Sequence, residues 1–273
     1  MEVVEDYRLR IIADPDNPIL AFKASRDRYT NLPSQEKYAG LPYLGSWHSE
    51  DALTWNVFRS MQKAKRLELI TDKLHIGKPR GLLLWTLAPE IYKENAELQY
   101  VTGSMIRRSD GKFRGQTTEP DIIILGTKGI VVMECKLGER NKALTHLWEG
   151  IIGSIKKRLT VYNNEIPNLV EEGDEGSIAP VYQLVRMAFY AVKLSDHFRV
   201  EPVIVSLVNE ENWTIQIRRI KKSPSELWDT FRNRILGGVS LRCESLTWQA
   251  IQELARGGSF TVLEKYLMSH PCL

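Results

Sequence analysis

Two short apolar runs, Ile122-Ile123-Ile124-Leu125 and Ile130-Val131-Val132-Met133, flank a Gly126-Thr127-Lys128-Gly129 turn, and charge stands at their far ends. Pro120-Asp121 opens the first and Glu134-Cys135-Lys136 closes the second. Strands have a period of two, so Asp121 shares a face with Ile123 and Leu125, and Glu134 and Lys136 share one with Val132, with Cys135 opposite. A tight turn makes the strands antiparallel neighbours. The pairing brings Asp121 level with Glu134 and Lys136. Isolated buried carboxylates are costly and persist when they bind a cation or pair with one another. Asp121, Glu134 and a nearby backbone carbonyl, that of Cys135, are hard oxygen ligands of the kind Mg²⁺ or Mn²⁺ takes. A lysine beside them can position a water and stabilise developing charge. Together these groups suit in-line hydrolysis of a phosphodiester. An isolated Glu-x-Lys would read as a sheet-edge ion pair, Glu134 or Asp121 with Lys136.

A further carboxylate comes from upstream. Residues 49–64 read as a helix with Ser49 as N-cap and Glu50 and Asp51 at the positive end of its dipole. Leu53, Val57, Met61 and Ala64 recur at helical spacing. Glu50 falls in line with Leu53 and Val57, which points it inward, as a ligand or through a water.

These residues resemble the PD-(D/E)XK nuclease superfamily: Pro120-Asp121, a twelve-residue gap, then Glu134-Cys135-Lys136. The resemblance covers about residues 49–210. It implies that Asp121 and Glu134 ligate one or two Mg²⁺ (or Mn²⁺) ions and that Lys136 assists the attacking water. It also implies a Glu at a helix start, for which Glu50 is the best match and Asp51 the runner-up. Some branches place a Gln on a later helix, a role that Gln183 could fill, with Arg186 or Tyr190 touching phosphate. The implied fold is α/β, restriction endonuclease-like, a mixed central sheet with helices on both sides. The implied activity is that of a divalent-metal-dependent nuclease on DNA, an endonuclease of restriction, repair or transposition type. The alternatives are a catalytically silent nucleic-acid-binding protein of the same fold or a nuclease subunit that needs a partner. Many members act as dimers or in larger complexes.

The elements that must position this hairpin follow from periodicity. Residues 97–108 read as a strand preceding a Ser-Asp-Gly turn, completing a three-strand meander. Residues 143–162 read as an amphipathic helix through Leu144, Leu147, Trp148, Ile151, Ile152, Ile155 and Leu159. Residues 180–194 read as a more buried helix crossed by a polar stripe, Gln183, Arg186, Tyr190 and Lys193, expected to face solvent. Residues 202–208 read as a buried strand, and Ser223-Pro224-Ser225-Glu226 as a capping box opening a helix to about Leu236. Residues 239–246 read as a strand, after which Thr247 caps a helix ending at Gly257-Gly258. Trp228 and Trp248 read as core anchors. The domain organisation expected is an N-terminal extension over 1–45 and a nuclease-like domain over 46–273, with its core at 49–210 and a C-terminal elaboration over 211–273.

The 273 residues are 43% hydrophobic and 26% charged, globular composition with a net charge of +3, too small to indicate nucleic acid by itself. Basic clusters at 156–158 and 218–222 are candidate phosphate contacts only if a nuclease is assumed. An acidic loop spans 171–177. No apolar run of membrane-spanning length and no secretory leader is read, and the three cysteines form no CxxC, so the expectation is a cytoplasmic protein without membrane contact. Walker A, GxSxG and HExxH motifs are missing, and the five histidines, His146 among them, show no metal spacing.

Overall fold

The computed structural model describes residues 3–26, 40–47, 49–109, 119–137, 149–170, 181–209, 215–217, 220–222, 224–235, 239–257, 261–271 and 273. Its centre is a five-stranded mixed sheet. Strand β1 (Pro79–Leu84) pairs antiparallel with β2 (Ile122–Gly126), and β2 antiparallel with β3 (Gly129–Cys135). Beyond β3 the sheet turns parallel, through β4 (Glu201–Val208) and finally β7 (Arg242–Thr247). A separate hairpin, β5 (Ile215–Ile217) with β6 (Ile220–Lys222), lies outside that sheet.

Parallel neighbours need a long crossover. Between β3 and β4 it includes α5 (Glu149–Glu165) and α6 (Tyr182–Phe198), and between β4 and β7 it includes α7 (Pro224–Ile235). The remaining helices are α1 (Pro18–Arg26), α2 (Glu50–Lys63), α3 (Glu68–Lys73), α4 (Lys93–Ser109), α8 (Trp248–Gly257) and α9 (Thr261–Ser269).

Period-two alternation divides the hairpin between two cores. Ile122, Ile124, Val131, Met133 and Cys135 pack with Leu53, Val57, Phe58 and Met61 of α2 and with Trp248 and Ile251 of α8. Ile123, Leu125, Ile130 and Val132 pack with Leu98 of α4, Tyr162 of α5 and Val185 and Phe189 of α6. Both faces of the sheet are thus covered by helices, and both strands of the hairpin are buried throughout. The fold is α/β, as expected.

Several expectations change. Residues 97–108 are not a strand but the body of α4. Tyr100, Val101 and Thr102 favour β structure locally, yet burial recurs at Leu98, Thr102 and Ile106, a helical spacing, while Tyr100 is 73% exposed. The third meander strand is β1 instead. It begins at a proline on the sheet edge, where the missing N–H costs nothing. Asn95 of α4 seals it, accepting from the Leu82 N–H at 2.8 Å and donating to the Glu90 carbonyl at 2.8 Å. The described residues of the N-terminal extension include a helix, α1, and pack on the rest of the chain. Leu20 and Ala24 of α1 and Leu44 share the core of α2. Trp55 donates to the Ala13 carbonyl at 2.6 Å, and Asn56 exchanges hydrogen bonds with Ile12 and Arg10. Of the polar stripe on α6, Arg186 and Tyr190 are buried, Arg186 over the Tyr182 ring, so it is not a solvent face. Helix α9 follows α8, where no element was expected. Residues 143–148, the loop 171–177 and His146 lie outside the described residues.

Candidate active site

The strands β3, β4 and β7 are parallel, so their carboxyl ends lie along one edge of the sheet, the edge where α/β proteins bind ligands. Strand β2 runs the other way and begins there. Ile122 pairs with Met133. One step further along this register, Asp121 stands level with Glu134. Helix α2 also begins at this edge. Ser49 caps it, accepting from the Ala52 N–H at 3.0 Å, and the next residue is Glu50.

The charged residues meet there. Lys136 Nζ lies 2.6 Å from Glu134 Oε1 and 3.5 Å from Glu50 Oε1, bridging the two carboxylates. Glu50 Oε2 accepts the Leu137 N–H at 3.0 Å, and Asp121 Oδ2 accepts the Cys135 N–H at 2.8 Å. Glu134 is 5% exposed, and its Oε2 has no hydrogen-bond partner. Asp51, the alternative to Glu50, turns aside to pair with Lys23 at 3.2 Å. The structure brings Glu50, Asp121, Glu134 and Lys136 together.

Burial raises the Asp121 carboxyl well above its ordinary range, and the charges of Glu134 and Glu50 push it the same way. Glu50 is raised too, by burial first, against the pull of Lys136 and the Leu137 N–H. Burial alone would lower Lys136, but Glu134, Glu50 and Asp121 outweigh it and hold the ammonium well above the usual lysine range. The Cys135 thiol, on the α2 side of the sheet, is raised by burial and stays a thiol. From Cys135, only backbone groups serve this edge.

Every backbone polar group of Lys136 and Leu137 is occupied, from separate parts of the chain. The Lys136 N–H donates to the Leu207 carbonyl at 2.8 Å, and the Lys136 carbonyl accepts Trp248 Nε1–H at 3.2 Å. The Leu137 carbonyl accepts Asn209 Nδ2 at 3.4 Å, and Asn209 in turn accepts Gln249 Nε2 at 2.7 Å. Asn209 follows β4, while Trp248 and Gln249 open α8 behind the Thr247 cap, whose hydroxyl accepts the Ala250 N–H at 3.0 Å. Trp248 is a core anchor, as read, but it also fixes the strand exit. The sequence signal for that role is its place directly after a capping Thr that ends a strand. Trp248→Phe removes the donor and half of a fully buried indole; it should cost about 2–4 kcal/mol in denaturant melts.

Gln183 sits in the first turn of α6. That helix ends just before β4, which starts beside Gly129, so its first turn is directed toward the carboxyl edge. Among the described residues Gln183 makes no hydrogen bond to the four charged side chains. Of the basic cluster at 156–158, Lys156 and Lys157 are exposed, but Arg158 is buried and not a surface phosphate contact. Arg218 and Arg219 lie outside the described residues, and Lys221 and Lys222 fall in β6.

Among the described residues no group of three His, Cys, Asp or Glu side chains is arranged to hold a metal ion, and no helix is long and apolar enough to cross a membrane. The donor set nonetheless fits a cation: a buried carboxylate oxygen on Glu134 lacks a partner, and three carboxylates face one ammonium, a formal excess of two negative charges. Comparison with protein-family models, with curated proteins and with solved structures finds no match to this chain.

Proposed function

We propose that this protein is a divalent-metal-dependent nuclease of the restriction endonuclease-like fold, acting on DNA as an endonuclease of restriction, repair or transposition type. The observation that carries the reading is the buried, partnerless Oε2 of Glu134 inside a cluster with surplus negative charge. Asp121 and Glu134 are the residues that would hold the ion, with Glu50 a further ligand or acting through a water. A bound Mg²⁺ or Mn²⁺ supplies Lewis-acid stabilisation of charge on the phosphate and leaving oxygen. Lys136 is the residue that orients the attacking water and stabilises developing charge. Its ammonium is fixed in place by two carboxylates before substrate arrives, so little reorganisation remains at the moment of reaction. Asp121 is oriented by the Cys135 N–H and Glu50 by that of Leu137.

The test is nicking of supercoiled plasmid by the purified protein with Mg²⁺, Mn²⁺ or EDTA. Metal-dependent nicking is the expected result. A second reading has its own support: Lys136 already bridges Glu134 and Glu50, as in a silent nucleic-acid-binding module built around a structural ion pair. Tight DNA binding without cutting, and without any divalent-ion effect on melting, would select that reading. Cutting only after a partner protein is added would make the chain a nuclease subunit.

A further inference from the structure

We infer that helix α1 is a clamp for the candidate active site: Lys23 and Arg26, one turn apart, fix the two segments that carry Glu50 and Asp121. What the positioned carboxylates then do rests on the nuclease reading. Lys23 Nζ lies 3.2 Å from Asp51 Oδ2, the neighbour of Glu50, and 4.8 Å from the centre of the Trp85 ring. The Trp85 backbone N–H donates to the Asp121 carbonyl at 3.0 Å. Arg26 Nη1 reaches Glu119 Oε2, two residues before Asp121, at 3.2 Å. One helix turn therefore grips the start of α2 on one side and the entry to β2 on the other.

Two features separate this arrangement from ordinary fold stabilisation. Lys23 is 7% exposed. A buried lysine pair is seldom better for stability than an apolar side chain of like size, so its place here calls for another reason. The second feature is the backbone at Trp85 and Thr86, with φ of 51° and 68°. Both lie in the left-handed region, which is strained for a residue other than glycine and persists only where the surroundings impose it. This tight turn, closed by reciprocal hydrogen bonds between Leu84 and Leu87, is where the Asp121 carbonyl is held. Lys23 lies over the Trp85 ring, and Trp55 stacks beside it at 6.0 Å between centroids. The strain sits at the junction of α1, β1 and the Asp121 segment.

The test compares Lys23→Met and Lys23→Arg with wild type by hydrogen exchange on metal-free protein, by Mn²⁺ binding followed by electron paramagnetic resonance, and by plasmid cleavage. The diagnostic amides are Trp85, Cys135 and Leu137, which hold Asp121 and Glu50. Lys23→Met should speed their exchange about tenfold, with Ile123 and Val131 in the sheet unchanged. Mn²⁺ affinity should fall about tenfold, and kcat should drop about tenfold or more with KM little changed, because small displacements of positioned groups are costly. Lys23→Arg should restore all three. If Lys23→Met does not fold, Arg26→Gln carries the same measurement at Trp85 and Cys135. Unchanged exchange at these amides in a folded variant overturns the clamp. Faster exchange in a protein whose wild type binds no Mn²⁺ and cuts no plasmid upholds the clamp and overturns the nuclease reading.

Discussion

Asp121→Asn should abolish cleavage and stabilise the metal-free protein. Asn keeps the shape and can still accept the Cys135 N–H that Asp121 Oδ2 accepts now. It removes one negative charge from a buried site already crowded by Glu134 and Glu50. Losing a metal-holding carboxylate forfeits several kcal/mol of charge stabilisation, about a thousandfold or more in rate. Removing the desolvation and repulsion should raise stability at neutral pH by about 0.5–2 kcal/mol, the scale at which active-site strain is relieved. The pH dependence has a defined sign. The folded carboxyl holds its proton above the ordinary value of 3.8, so the wild type loses stability as pH rises from about there through the raised value. Asn has no such step. Thermal melts of the two proteins should coincide in acid and separate toward neutral pH, with the variant higher. A variant that melts lower at neutral pH, or that still cuts, would remove Asp121 from the site.

The hairpin was legible because three local rules agree there. Two continuous apolar runs mark the strands, a Gly-bounded turn and charge confined to the strand ends set one register, and the pairing of Ile122 with Met133 is that register. The Ser49 and Thr247 caps were legible for the same reason, since a hydroxyl before an apolar periodic run satisfies helix N–H groups whatever lies beyond. The convergence of Glu50 with Lys136 followed from its place in line with Leu53 and Val57. What was not legible depended on distant partners. Residues 97–108 carry β-favouring side chains, and only packing of Leu98, Thr102 and Ile106 against the sheet decides for helix. Strand β1 hides behind Pro79 and Gly81; its Leu82 N–H is completed by Asn95, on the following helix. A two-residue turn of Trp85 and Thr86 in left-handed backbone has no sequence signature, because such turns ordinarily use Asn or Gly. Asn209, Gln249 and Trp248 reach Leu137 and Lys136 only because β3, β4 and β7 run parallel, a fact of topology rather than of local pattern.

Lys136→Met should have the largest effect on folding. The ammonium lies against Glu134 at 2.6 Å and near Glu50 at 3.5 Å, and the substitution leaves both carboxylates in a buried cluster without their cation. Breaking a buried pair from one side costs about 3–5 kcal/mol, much more than the intact pair contributes, because an uncompensated charge remains. Adding Glu134→Gln should recover part of that loss in urea melts, since it removes the carboxylate nearest the lost ammonium while Glu50 keeps its charge. The single variant should also recover in acid, where Glu50 and Asp121, both raised by burial, take up their protons. Cleavage should return in neither case. The lysine would then have two separable duties: compensating buried carboxylates, a need that a neutral glutamine lessens, and presenting a fixed positive charge to the reacting phosphate, which no other side chain in this cluster can supply. If the double variant cuts DNA, the second duty does not exist and Lys136 is a structural ion-pair partner alone.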